Sequence, residues 1–114
     1  MQIDTYQAAT RTTAIYPAAG FGTDQALTYV VLGLTGETGE IANKVKKLLR
    51  DEHTPEQRKA AKEAISAEIG DVFWYLARLV DEMCLWSSDV LTANVEKLHD
   101  RKIRGALQGQ GDDR

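Results

Sequence analysis

Two stretches of this 114-residue chain set acids three residues apart: Glu37-Thr38-Gly39-Glu40 and Glu68-Ile69-Gly70-Asp71. Residues at that spacing share one face of a helix, so each pair projects its carboxylates together. Carboxylate oxygens suit hard cations, and Mg²⁺ characteristically bridges such acids to substrate phosphates. One acidic pair alone is an ordinary solvated helix face. What separates these two from that reading is their position relative to the apolar residues around them.

At about 100° of turn per residue, Glu37 stands about 60° to one side of Leu34, with Lys44 close to the same line. Glu68 is displaced from Ile65 by the same angle and in the same sense, with Tyr75 on its line; Glu40 and Asp71 lie one step further round. Both pairs therefore border a face that should be buried. Two neighbouring helices with their apolar stripes facing would bring four carboxylates to the mouth of one groove. Such a group is strained by mutual repulsion unless a cation sits within it.

The elements that must carry these pairs are helices. Leu27, Val30, Leu34, Ile41, Val45 and Leu48 recur at helical spacing and predict a helix over 25–50. Thr23 or Asp24 is its N-cap, and Lys44, Lys46, Lys47 and Arg50 suit its C-terminal dipole. Gly33, Gly36 and Gly39 interrupt it at a cost of about 1 kcal/mol each. They imply either close approach by a partner helix or ligand or a bend, and the apolar register that continues across them favours close approach. Thr54-Pro55-Glu56-Gln57 is a capping box with proline at the first helical position, opening a helix to about Met83. Its stripe is Ala61, Ile65, Ile69, Val72, Leu76, Leu79 and Met83. A short helix over 4–14 precedes these two, followed by a loop holding Pro17, Gly20 and Gly22. A last helix, capped by Ser87 or Ser88, runs from about 89 to 104 with Val90, Leu91, Val95 and Leu98 turned inward. The expectation is an all-α, four-helix bundle: a single helical domain over 1–106 and a polar C-terminal tail over 107–114.

Composition excludes several classes. Charged residues are 27% and hydrophobic ones 43%, ordinary for a soluble globular domain. A net charge of −3 gives no whole-molecule field for nucleic acid. Cys84 is the single cysteine, so neither an intramolecular disulfide nor a cysteine zinc site is available. There is no signal-peptide pattern and no apolar run near the ~18 residues of a membrane span, which points to the cytoplasm. Phe21, Tyr29, Trp74, Tyr75 and Trp86 are the aromatics available to stack on a base or to fill core and interface. Trp74 points away from its helix's main stripe, as Leu32 does on the preceding helix. Two apolar faces on one helix imply cover on both sides, the second by another subunit.

Taken together, these residues resemble the MazG-type all-α nucleoside triphosphate pyrophosphohydrolases. The likeness is carried by Gly33-Leu34-Thr35-Gly36-Glu37-Thr38-Gly39-Glu40-Ile41, Lys46-Lys47 and Glu68-Ile69-Gly70-Asp71-Val72-Phe73-Trp74-Tyr75-Leu76. Asp4-Thr5-Tyr6-Gln7 and Asn94-x-x-Lys97-Leu98-x-x-Arg101 extend it over nearly the whole chain. The resemblance implies hydrolysis of an NTP, and more specifically a dNTP, to the monophosphate and pyrophosphate with Mg²⁺ (Mn²⁺ as a substitute). It implies Glu37, Glu40, Glu68 and Asp71 as metal-holding and catalytic residues, one of the glutamates orienting or deprotonating the attacking water. Lys97 and Arg101 with Asn94, helped by Lys44 or Lys47, would contact phosphates, and Tyr75 belongs to the same substrate site. Homodimers or homotetramers are implied as well. The chain departs from the pattern at Gly36, where many members carry a further glutamate; the number of metal ions and the identity of the base stay open.

Three rival readings are weaker. Glu96-x-x-His99 has the spacing of a di-iron carboxylate protein, but that class needs two such pairs, and the third helix offers no histidine. A non-enzymatic helical oligomerisation or interaction module would explain the helices but not matched acid pairs at a core border. Nucleic-acid binding is disfavoured because Glu96 and Asp100 interrupt the cluster of Lys97, Arg101, Lys102 and Arg104.

Overall fold

A computed structural model describes residues 1–111. Four α-helices form in chain order: α1 (Ile3–Thr10), α2 (Asp24–Arg50), α3 (Pro55–Glu82) and α4 (Ser87–Ile103), with a 3₁₀ turn at Arg11–Thr13. No strand occurs among the described residues, and the fold is all-α. No helix of these residues is long and apolar enough to cross a membrane. Residues 107–111 follow α4 outside any helix, and the rest of the expected tail lies outside the described residues.

The long helices start where local chemistry predicts. The Thr23 side chain accepts from the Ala26 N–H, and Thr54 and Gln57 close a complete capping box around Pro55. A short link at 51–54 then folds α3 back on α2, and this hairpin, each arm about 40 Å long, is the main packed unit of the chain. Where the hairpin meets the loop after α1, Tyr16, Ala26 and Val30 are buried, with Trp74, Tyr75 and Leu79 packed around them.

Three expectations are corrected. Trp74 is covered by its own chain rather than a second subunit: its ring meets Tyr16 and Tyr75 edge-on, and its indole N–H donates to Thr13 at 2.8 Å. The cap of α4 comes not from a serine side chain but from α1. Gln7 Oε1 accepts from the Ser87 N–H and hydroxyl, both at 2.7 Å, and Asp4 Oδ1 accepts from the Ser88 N–H at 2.9 Å. Finally, Val90, Leu91, Val95 and Leu98 are not inward but exposed. The reason is the path of α4: tied by its first turn to α1, it makes its one extensive contact there and does not lie along the hairpin. A molecule measuring 44 × 44 × 27 Å around helices of that length is the result.

Candidate active site

The carboxylates that face one another across the hairpin are Glu37 of α2 with Glu68 and Asp71 of α3. One oxygen from each lies within 4.8 Å of the others, and Glu37 and Glu68 are half-buried while Asp71 is exposed. Burial pushes the Glu37 carboxyl above its ordinary range, as do hydrogen bonding with Glu68 and the charges of Asp71, Glu68 and Glu40. Lys44, one helical repeat beyond Glu37, is the cation at this group. Its Nζ lies 3.0 Å from Glu68 Oε1 and 3.9 Å from Glu40 Oε2. The hydrogen bond to Glu68 raises the lysine above its ordinary range.

Glu40 is not drawn into the three-acid group. One step further round α2, it is exposed and leans on Lys44. Tyr75 does join the site's floor. Its ring lies against Gly33, where a side-chain Cβ would stand 2.1 Å from Cε1, so this glycine admits a close approach from α3. Burial raises the Tyr75 phenol, with Tyr29, Glu37 and Asp71 adding to the shift. Gly36 and Gly39, by contrast, face open space. The aligned offsets of the two acid pairs are thus realised for three acids, Lys44 and Tyr75.

The other expected substrate contacts stand apart. Lys47 is exposed and, nearly three turns beyond Glu37 on α2, lines a recess of about 210 Å³ with Lys44, His53 and Ala61. Asn94 and Lys97 are exposed on α4, and Arg101 of the same helix is buried. With α4 packed on α1, the chain does not fold these three onto the hairpin's carboxylates. Among the aromatics, Phe21 is exposed, Tyr29 stacks on Tyr16 at 5.2 Å, and Trp86 lies under the Arg11 guanidinium at 5.7 Å. The Glu96–His99 pair sits on exposed turns of α4 and joins no metal-holding group among the described residues.

Sequence reading missed two features. Tyr6 of α1 stands close enough to Asp71 for that charge to add to the upward shift that burial gives its phenol. The second is a buried ionic network two turns along α3. Arg78, almost wholly buried, donates through Nε to Tyr16 and through Nη1 to Asp81 at 2.9 Å, and pairs with Glu82 at 3.7 Å. Glu82 also accepts from the Tyr16 hydroxyl and from the N–H groups of Gly20 (2.6 Å) and Gly22 (2.8 Å). Gly22 must be glycine: its φ is +62° and a Cβ would stand 2.8 Å from the Glu82 carbonyl oxygen. Asp81 is forked by Arg11 and receives Gln7 Nε2. The available signal was Arg78-x-x-Asp81-Glu82 inside an otherwise apolar stretch, a pattern that needs internal partners.

These charges do different work. The network is closed by hydrogen bonds and fixes the loop to α3. The three-acid group has more negative than positive charge and opens to solvent, which fits a hard divalent cation. Residues 25–104, from the start of α2 through α4, match the model of a family described as the MazG nucleotide pyrophosphohydrolase domain. The chain is also similar to the Gene 37 protein of Mycobacterium phage L5, with 49% identity over 118 residues and full coverage of both chains. No solved structure gives a significant match.

Proposed function

The chain belongs to the MazG nucleotide pyrophosphohydrolase family, and on that premise we propose that it hydrolyses a nucleoside triphosphate, preferentially a dNTP, to the monophosphate and pyrophosphate with Mg²⁺. The observation that carries the reading is the convergence of Glu37, Glu68 and Asp71 within 4.8 Å across the α2–α3 hairpin. An all-carboxylate donor set is what Mg²⁺ takes, and Mn²⁺ would substitute.

In this reading Glu37, Glu68 and Asp71 hold the cation, with Glu40 as the fourth acid at the rim. When bound, a divalent ion neutralises phosphate charge and acts as a Lewis acid on the phosphoryl group. The chain's own groups do the rest. One of the glutamates, not all of them ligating at once, accepts the proton of the attacking water. Lys44, already at the carboxylates, turns its ammonium to a phosphate oxygen, and Lys47 extends that positive edge along α2. Tyr75 walls the site between the two helices. Asn94, Lys97 and Arg101 would supply phosphate contacts in an oligomer, a homodimer or homotetramer, that brings α4 of one copy to the hairpin of another.

Asp71→Asn tests this assignment, because the residue is exposed and makes no hydrogen bond or ion pair among the described residues. Turnover should fall by at least about 10³-fold, roughly 4 kcal/mol of transition-state stabilisation, with the helical circular dichroism intact. A variant retaining full turnover would remove Asp71 from the site.

A further inference from the structure

We propose that the cavity between the loop after α1 and the link from α3 to α4 is a second ligand site, which takes a nucleoside monophosphate with its phosphate on Arg11 and its base against Trp86. The cavity holds about 520 Å³; Arg11, Arg78 and Asp81 line its polar side, and Ala14, Leu85 and Trp86 stand among its apolar walls. That is the size and the mixed lining of a small-molecule site. None of these residues belongs to the carboxylate group, whose Asp71 lies seven residues, about 10 Å, back along α3 from Arg78.

The first ground is which polar side chains in the cavity are still free. Asp81 is spent, its oxygens accepting from Gln7, Arg11 and Arg78. The donors are not. Arg11 gives Nε and Nη2 to Asp81 and keeps Nη1 unbonded. Arg78 is only 1% exposed, yet its Nη2 makes no hydrogen bond among the described residues; Glu82, the acid paired with that nitrogen, stands off at 3.7 Å. Glu82 itself does not line the cavity and is turned to the N–H groups of Gly20 and Gly22. A buried guanidinium nitrogen so placed calls for an acceptor that the chain does not supply. The Trp86 indole N–H is also unbonded among the described residues, whereas that of Trp74 is taken by Thr13. Free donors on two cations and an indole, with no free carboxylate beside them, match a negatively charged ligand rich in acceptor oxygens.

The second ground is the apolar side. Trp86 is half-exposed and lies under the Arg11 guanidinium at 5.7 Å. A cation held at an open indole is placed to take the phosphate of a ligand whose ring packs on that indole, and such stacking tolerates any base. A phosphate ion alone would leave the apolar walls bare, and a nucleoside alone would leave the guanidiniums unanswered. A nucleoside monophosphate meets both. It is also a product of the proposed hydrolysis, and the inference rests on that reading only for where the ligand comes from.

The test is isothermal titration calorimetry of the full chain in EDTA. The probes are the 5′-monophosphates of adenosine, guanosine, cytidine, uridine and thymidine, with adenosine and inorganic phosphate as the two halves. At least one monophosphate should bind with a Kd below about 1 mM, and each half should bind more weakly. Trp86→Ala and Arg11→Ala should each weaken that binding at least about 10-fold, while Asp71→Asn leaves it unchanged. Four results overturn the proposal: no monophosphate binds below about 1 mM; one half binds as well as the whole; neither cavity variant weakens binding; or Asp71→Asn abolishes it, which would put the ligand at the carboxylates. Should the cavity variants fail to fold, Ala14→Leu decides, since it narrows the cavity and keeps every charge. Lost binding in that variant supports the site and unchanged binding contradicts it. No readout uses turnover, so an inactive chain that binds monophosphate this way keeps the site, and an active chain that binds none loses only the site.

Discussion

Two charged groups sit a few turns apart on α3, and their surroundings are opposite. At Arg78, Asp81 and Glu82 every carboxylate is answered inside the chain by a guanidinium, a hydroxyl or a loop N–H. At Glu68 and Asp71, with Glu37 opposite, three acids converge and, among the described residues, the ammonium of Lys44 pairs with Glu68 alone of the three. The shifts follow. Arg11, aided by Gln7 and Arg78 against the opposing effect of burial, holds Asp81 down to about 2. Burial pushes Glu82 up, but the Gly20 N–H, the Tyr16 hydroxyl and the Gly22 N–H outweigh it and hold the carboxyl below its ordinary value. Glu37 instead moves up. A satisfied network stabilises the fold; an under-neutralised cluster costs stability, which makes this one the candidate for the site.

The contrast can be broken at its closed end with the largest effect. Glu82→Gln leaves the buried Arg78 with Asp81 as its one remaining carboxylate partner and weakens the acceptor of the Tyr16 hydroxyl and the Gly20 and Gly22 N–H groups, and should cost about 3 kcal/mol. Denaturant unfolding measures this, and a loss well under 1 kcal/mol would mean that the network does not hold the loop. The next effect is pH dependence. Asp81 titrates at about 2 in the fold instead of at its ordinary value of 3.8. A depressed carboxylate contributes stability above its unfolded pKa and loses it as pH falls through the folded value. About 2 kcal/mol should therefore be lost between pH 4 and pH 2, and Asp81→Asn should remove that part of the pH profile. The open end should respond in the reverse sense and least. Glu37→Gln relieves repulsion and should raise metal-free stability at pH 7 by up to about 1 kcal/mol, while abolishing the stabilisation that Mg²⁺ gives the wild type. Thermal unfolding with Mg²⁺ and with EDTA reads both changes.

How much of this was legible in the sequence depends on how local each cause is. Thr23 and Thr54 start their helices through neighbours in sequence, and both starts stand where the cap residues put them. The acid pairs and Lys44 also follow from helical angle alone, because α2 and α3 are joined by a short link and must pack side by side. Glu40 shows the limit of that reasoning: one step further round, its carboxylate turns to solvent and to Lys44. The path of α4 was not legible. Val90, Leu91, Val95 and Leu98 have the periodicity of a buried face, and periodicity does not say what covers it. Nor could spacing show that Gln7 and Asp4, more than 75 residues away, cap that helix. Trp74 misled for the same reason, since its cover comes from Thr13 and Tyr16 in a loop with no period of its own.

The central claim, that the open carboxylate group hydrolyses nucleotides, is tested most directly by product analysis on a panel of dNTPs and NTPs with Mg²⁺ and with EDTA. The account predicts nucleoside monophosphate and pyrophosphate in equal amounts, only with the metal, and faster from deoxynucleotides. Diphosphate and orthophosphate as products, or turnover that persists in EDTA, would contradict it.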